Sequence, residues 1–157
     1  MPTDVPDDLP PVLDALGDQR GVRLCFDWGK ARVGVAYSDR DGLMAHPVET
    51  IPARDQPFRR VAVLVAEYEP VEVVLGWPRN LAGQEGPAVE YMRGVLAELR
   101  TTVAPVPVVL VDERMSTAEA SRRLMQAGKN ARQRRGIIDQ AAAVGILEQA
   151  LETRRRV

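Results

Sequence analysis

Of its 157 residues, the chain has one cysteine, one histidine and seven aromatic residues. The single Cys25 excludes an internal disulfide and fits a cytoplasmic setting. It lies inside an apolar run with no neighbouring histidine, which reads as a small buried hydrophobe and not as a nucleophile. His46 stands beside Pro47 and reads as structural; one histidine argues against a Ser-His-Asp triad or a His-rich zinc site. No stretch approaches the roughly 18 apolar residues of a membrane span, so no membrane is expected as a partner. The segment Met1–Leu16 is acidic and proline-rich, unlike the basic and apolar start of a signal peptide. A net charge of −1 argues against a strongly basic nucleic-acid binder.

The distribution of charge says more than its sum. From Arg114 to Val157 there are ten Lys and Arg against four Asp and Glu, so the remainder carries the negative excess. Lys129, Arg132, Arg134 and Arg135 fall within seven residues, a cluster suited to phosphate contact, although such runs more often only decorate a solvated surface. Residues 1–20 read as an acidic, proline-rich extension, and residues 21–157 as one domain long enough to bury a core.

That domain is organised around Val22–Ala36. An apolar run, Val22–Phe26, stops on Asp27; a turn with Gly29 follows; a second run, Val33–Ser38, completes a hairpin. A strand-end carboxylate beside glycines, with Lys30 and Arg32 in the turn, suits a metal bridging to phosphate, although Asp27 as a mere turn residue would look the same. Leu43–Ile51 reads as a third strand, with Pro47 favouring an edge. Pro57–Tyr68 is an amphipathic helix, Val71–Trp77 a buried strand, Pro87–Leu99 a second helix and Pro105–Val111 a further strand ending on Asp112-Glu113-Arg114. Ser116–Ala127 opens on a capping box, Lys129–Gly136 reads as a basic loop, Ile137–Leu151 as the last helix and Arg154–Arg156 as a solvated basic tail. This order predicts an α/β fold: a mixed five-stranded sheet with antiparallel strands 1-2-3 and parallel strands 1, 4 and 5. The carboxyl ends of the three parallel strands then share one rim.

Acidic residues converge on that rim: Asp27, Asp112 with Glu113, and Asp139. Asp139 shares a helical stripe with Ala142, Ala143, Ile146 and Ala150, the face that packs on the sheet. A carboxylate there needs a metal or a basic partner, and Arg135 one turn earlier is the local candidate. Grouped carboxylates without a cation repel one another, and an oxygen-only set suits Mg²⁺ or Mn²⁺. Such ions can activate water against a phosphodiester.

Taken in order, Asp27-Trp28-Gly29-Lys30-Ala31-Arg32-Val33-Gly34-Val35-Ala36, Pro47–Ile51, Gly76-Trp77-Pro78-Arg79-Asn80 with Gly83, Glu85, Gly86 and Pro87, Asp112-Glu113-Arg114-Met115-Ser116-Thr117, and Asp139 with Ala141 and Ala142 resemble the YqgF/RuvX family of Holliday-junction-resolvase-like nucleases. The resemblance covers roughly Gly21–Leu151. It implies an RNase H-like fold with helices on both faces, and a metal-dependent endonuclease acting in pre-16S rRNA processing, in Holliday-junction resolution, or in both. It carries the catalytic acids onto Asp27, Glu113 and Asp139, with Asp112 a weaker fourth metal ligand. Lys30, Arg32, Arg79, Asn80, Arg114, Lys129, Arg132, Arg134 and Arg135 are the candidate nucleic-acid contacts, toward structured RNA or a four-way DNA junction. Two symmetric cuts in a junction make a homodimer a further expectation. Trp28 and Trp77 are bulkier than the family pattern at their positions. Two other classes stay open: a catalytically silent nucleic-acid-binding module, and an actin- or sugar-kinase-like ATPase, which would need a second Asp-x-Gly phosphate loop that this chain lacks.

Overall fold

The computed structural model describes residues 16–78, 87–112 and 131–156, with backbone alone at 88, 131–137 and 155–156. The elements are β1 (Arg23–Trp28), β2 (Arg32–Ser38), β3 (Ala45–Pro52), α1 (Pro57–Tyr68), β4 (Glu72–Trp77), α2 (Pro87–Val103), β5 (Val108–Asp112) and α3 (Ala131–Arg156). The strands form one sheet in the order β3-β2-β1-β4-β5. β2 pairs antiparallel with both β1 and β3, whereas β4 runs parallel to β1 and β5. The helix expected over Ser116–Ala127 lies outside the described residues, as do Arg79, Asn80, Glu113, Arg114 and Lys129.

Side-chain alternation sorts the strands into two faces. Leu24, Phe26, Trp28, Val33, Val35, Val73 and Leu75 pack with residues of α1 and α2. Cys25, Ala36, Val74, Val109 and Val111 lie in a second cluster with Ala143, Ile146, Leu147 and Ala150 of α3. Helices therefore cover both faces. Both tryptophans belong to the α1–α2 side, where Trp28 stacks on Phe58 at 4.7 Å between centroids and Trp77 is buried. Their bulk fills core and does not project toward the face that carries Asp27.

Two corrections concern α3. Residues 131–136, expected as a basic loop, form its first turns. Ala, Arg and Gln are strong helix formers, and the one glycine there, Gly136, costs less than the others supply. Arg154, expected in a solvated tail, is helical and donates from Nε to the Gly17 carbonyl and from Nη2 to that of Asp18, both at 2.8 Å. At the same pole Arg23 is fully buried at the start of β1. Its Nε donates to Glu72 Oε1 at 2.9 Å, and its Nη atoms donate to the carbonyls of Gly17, Gln19 and Gly21. Glu72 in turn accepts the Gly17 amide. Residues 17–21 are thus bonded to the domain through backbone groups, which composition does not reveal. This pole is opposite the end of β1 where Asp27 stands.

At the β2–β3 turn, Asp39 accepts the amides of Leu43 at 2.9 Å and Met44 at 2.6 Å. Burial pushes its carboxyl up, but the backbone amides, led by Met44 and Leu43, outweigh that and hold it below the usual carboxylate value.

Candidate active site on the carboxyl rim of the sheet

Asp27 is the fifth residue of β1, not the first beyond it, and pairs in register with Gly34 of β2. Gly34 pairs on its other side with Thr50 of β3. Thr50, Gly34 and Asp27 therefore make one row across three strands, on the α3 face by the alternation above. The helix is seated on this row. A Cβ at Gly34 would collide with the backbone carbonyl of Asp139, so only glycine lets α3 come this close. One residue on, Gln140 Nε2 donates to Thr50 Oγ1 at 3.1 Å. Behind these contacts the stripe of Ala142, Ala143, Ile146 and Ala150 is buried against the sheet. The sequence reading missed Thr50 and Gln140, because nothing in either local sequence announces a contact across 90 residues.

The Asp139 carboxylate has a basic partner on β2. Arg32 Nε donates to Asp139 Oδ2 at 2.6 Å. The Arg135 side chain lies outside what is described. Arg32 stands two residues before Gly34, on the same face, and is thus a diagonal cross-strand neighbour of Asp27. Its backbone is fixed: the Arg32 carbonyl accepts the Gly29 amide at 2.8 Å, and the Ala31 carbonyl accepts the Ala53 amide at 2.9 Å. Lys30 is exposed in the turn so formed. Tyr91 of α2 donates its hydroxyl to the Gly29 carbonyl at 3.4 Å, a second tether that the sequence did not suggest.

The rim therefore brings together Asp27, Asp139 and Arg32, with Lys30 exposed in the adjoining turn. It does not bring Asp112 to them. Asp112 pairs in register with Trp77, which belongs to the α1–α2 core, so Asp112 is on the opposite face from Asp27. Among the described residues no three His, Cys, Asp or Glu side chains converge as a ready metal cage. Glu113, the third acid expected, is outside them. The donors present are oxygens alone, and one of the two carboxylates is already held by a cationic group. Both features fit a hard divalent cation.

A mixed sheet in the order 3-2-1-4-5, helices on both faces and acids at the ends of its strands define an RNase H-like fold. RuvC of T. thermophilus, solved in complex with Holliday junction substrate, superposes with a TM-score of 0.56 at 17% identity, covering 86% of this chain and 96% of RuvC. The family model described as "RuvX: Holliday junction resolvase" matches residues 21–153, and the chain belongs to that family. A Cutibacterium acnes relative named "Putative pre-16S rRNA nuclease" is 56% identical over 132 residues, 84% of this chain and 82% of the relative. One of the same name from Streptomyces avermitilis is 55% identical over 142 residues, 89% and 91% of the two chains.

Proposed function

We propose that the protein is a metal-dependent endonuclease that hydrolyses phosphodiester bonds in structured nucleic acid, with pre-16S rRNA and four-way DNA junctions as its candidate substrates. The observation that carries this reading is the seating of Asp139 over Gly34, the register partner of Asp27. It gives two carboxylates on elements far apart in sequence a common position at the carboxyl rim. Asp27 and Asp139 would hold the cation, with Glu113 as the third acid. The cation, when bound, supplies a polarised phosphate and an activated water. Mg²⁺ and Mn²⁺ are the ions we assign, because an oxygen set that leaves positions open for phosphate and water matches their chemistry.

The protein's own part is positional. β1 fixes Asp27 and α3 delivers Asp139. The hairpin turn presents Lys30 and Arg32 beside them as phosphate contacts. The helical stretch holding Arg132, Arg134 and Arg135 leads directly into Asp139, so a backbone tracked along it would arrive at the acids. Arg79, Asn80, Arg114 and Lys129 extend the proposed contact set. A homodimer would place two such sites for paired cuts in a junction. Among the described residues no helix is long and apolar enough to cross a membrane. The relatives named as pre-16S rRNA nucleases support the cytoplasm as the working compartment.

The test is cleavage of labelled pre-16S rRNA fragments and of a four-way DNA junction, run in parallel with Mg²⁺, with Mn²⁺ and with excess EDTA. Cutting of either substrate only with metal supports the nuclease. Tight binding with no cutting under any condition would make the protein a silent binding module.

A further inference from the structure

Arg32 holds one carboxylate of the rim and stands within reach of the other, yet its guanidinium is only partly used. Among the described residues Asp139 is its single hydrogen-bond partner, through Nε, and the side chain is 39% exposed. The remaining N–H donors form a planar fork that matches a phosphate. The Asp139 side chain is 21% exposed, so the pair is open to exchange. The Arg32 backbone is pinned between the turn and β3, so a change of partner needs only side-chain rotation.

We propose that Arg32 is a placeholder cation that changes partners. Without metal it neutralises Asp139 and relieves the repulsion between the rim carboxylates. When a divalent ion takes the carboxylate, like-charge repulsion releases the guanidinium, which then clamps a phosphate of the bound nucleic acid. This rests on the metal-nuclease reading above. It adds that the strongest phosphate contact beside the acids forms only once metal is in place, so metal loading and substrate grip are coupled through one side chain.

The test reads Arg32 directly. In the metal-free full-length protein, its Nε–Hε NMR signal is assigned by its loss in Arg32→Lys, then followed as Mg²⁺ is added, with calorimetry on the same sample. The signal is expected to move in step with the binding isotherm, and Asp139→Asn is expected to show the moved position without metal. Mg²⁺ binding with an unmoved Arg32 signal overturns the exchange and leaves the nuclease reading standing; no Mg²⁺ binding at all overturns both. A second measurement uses a four-way DNA junction in EDTA. Asp139→Asn should tighten binding severalfold when Arg32 is present, whereas Asp139→Asn/Arg32→Gln should bind no better than Arg32→Gln. Equal tightening in both backgrounds would mean that only bulk charge matters, and would also overturn the proposal.

Discussion

At Gly34 the missing side chain is the functional feature. The residue shares a face with Asp27, and the space its Cβ would fill is taken by the backbone of α3 at Asp139. Gly34→Ala has no flexible neighbour to push aside, so α3 must lift at Asp139. The cost is expected at or above the upper end of the ~1–3 kcal/mol typical of overpacked sites, read as a lowered midpoint in urea. The cost should fall with a second change that shortens or frees α3, and a midpoint equal to wild type would show that Asp139 is not seated there. Local sequence made Asp27 legible, because an apolar run ending on Asp beside glycines is a local signal. It also placed Asp139 on the buried stripe. It could not reveal that Arg32, 107 positions away, is a partner of that carboxylate, since helical spacing points only to residues of the same helix such as Arg135.

Among the elements, α1 has the limits its sequence predicts, Pro57–Tyr68, because proline opens it and a left-handed Glu69 followed by Pro70 closes it. α3 extends beyond its sequence-predicted span, Ile137–Leu151, at both ends, because its ends carry charge where its middle carries alanine and isoleucine, and an apolar period marks only the part that packs. The correction turns the cluster Arg132, Arg134 and Arg135 from loop into helix leading to Asp139. If these residues and Lys129 meet the phosphate backbone, the quadruple Ala variant should bind more weakly, with its log–log salt slope reduced by up to about 0.9 for each lost duplex contact. An unchanged slope in a fluorescence titration would reduce them to surface decoration. At the far pole, the buried Arg23–Glu72 pair gathers residues 17–21 onto β1 and β4. Arg23→Ala leaves Glu72 without its cation and is expected to cost about 3–5 kcal/mol, with early proteolysis before Gly21. Arg23→Met/Glu72→Met should recover most of it in a denaturant melt, and failure to recover would mean the backbone bonds to Gly17 and Gln19 dominate.

Over the whole molecule the termini-facing pole and the carboxylate rim divide the work: one fastens the chain, the other presents acids and basic groups to a substrate. The strand directions and order were legible because β1 and β2 make a tight hairpin while β4 and β5 follow helices, which forces parallel pairing. Which face each rim acid occupies was not, because the outcome depends on a single residue of register. Asp112 illustrates this: one position from Glu113 in sequence, it belongs to the face opposite Asp27. The central claim is that Asp27 helps hold a catalytic cation. The most direct measurement is the single-turnover cleavage rate of Asp27→Asn beside wild type across a Mn²⁺ titration, on whichever of the two substrates wild type cuts, with binding to that substrate measured in parallel. Losing even an outer-shell partner of a metal site costs about 10–100-fold, so the rate is predicted to fall by at least ~10²-fold while binding is kept. Cleavage by Asp27→Asn near the wild-type rate, or wild-type cleavage that persists in excess EDTA, would contradict it.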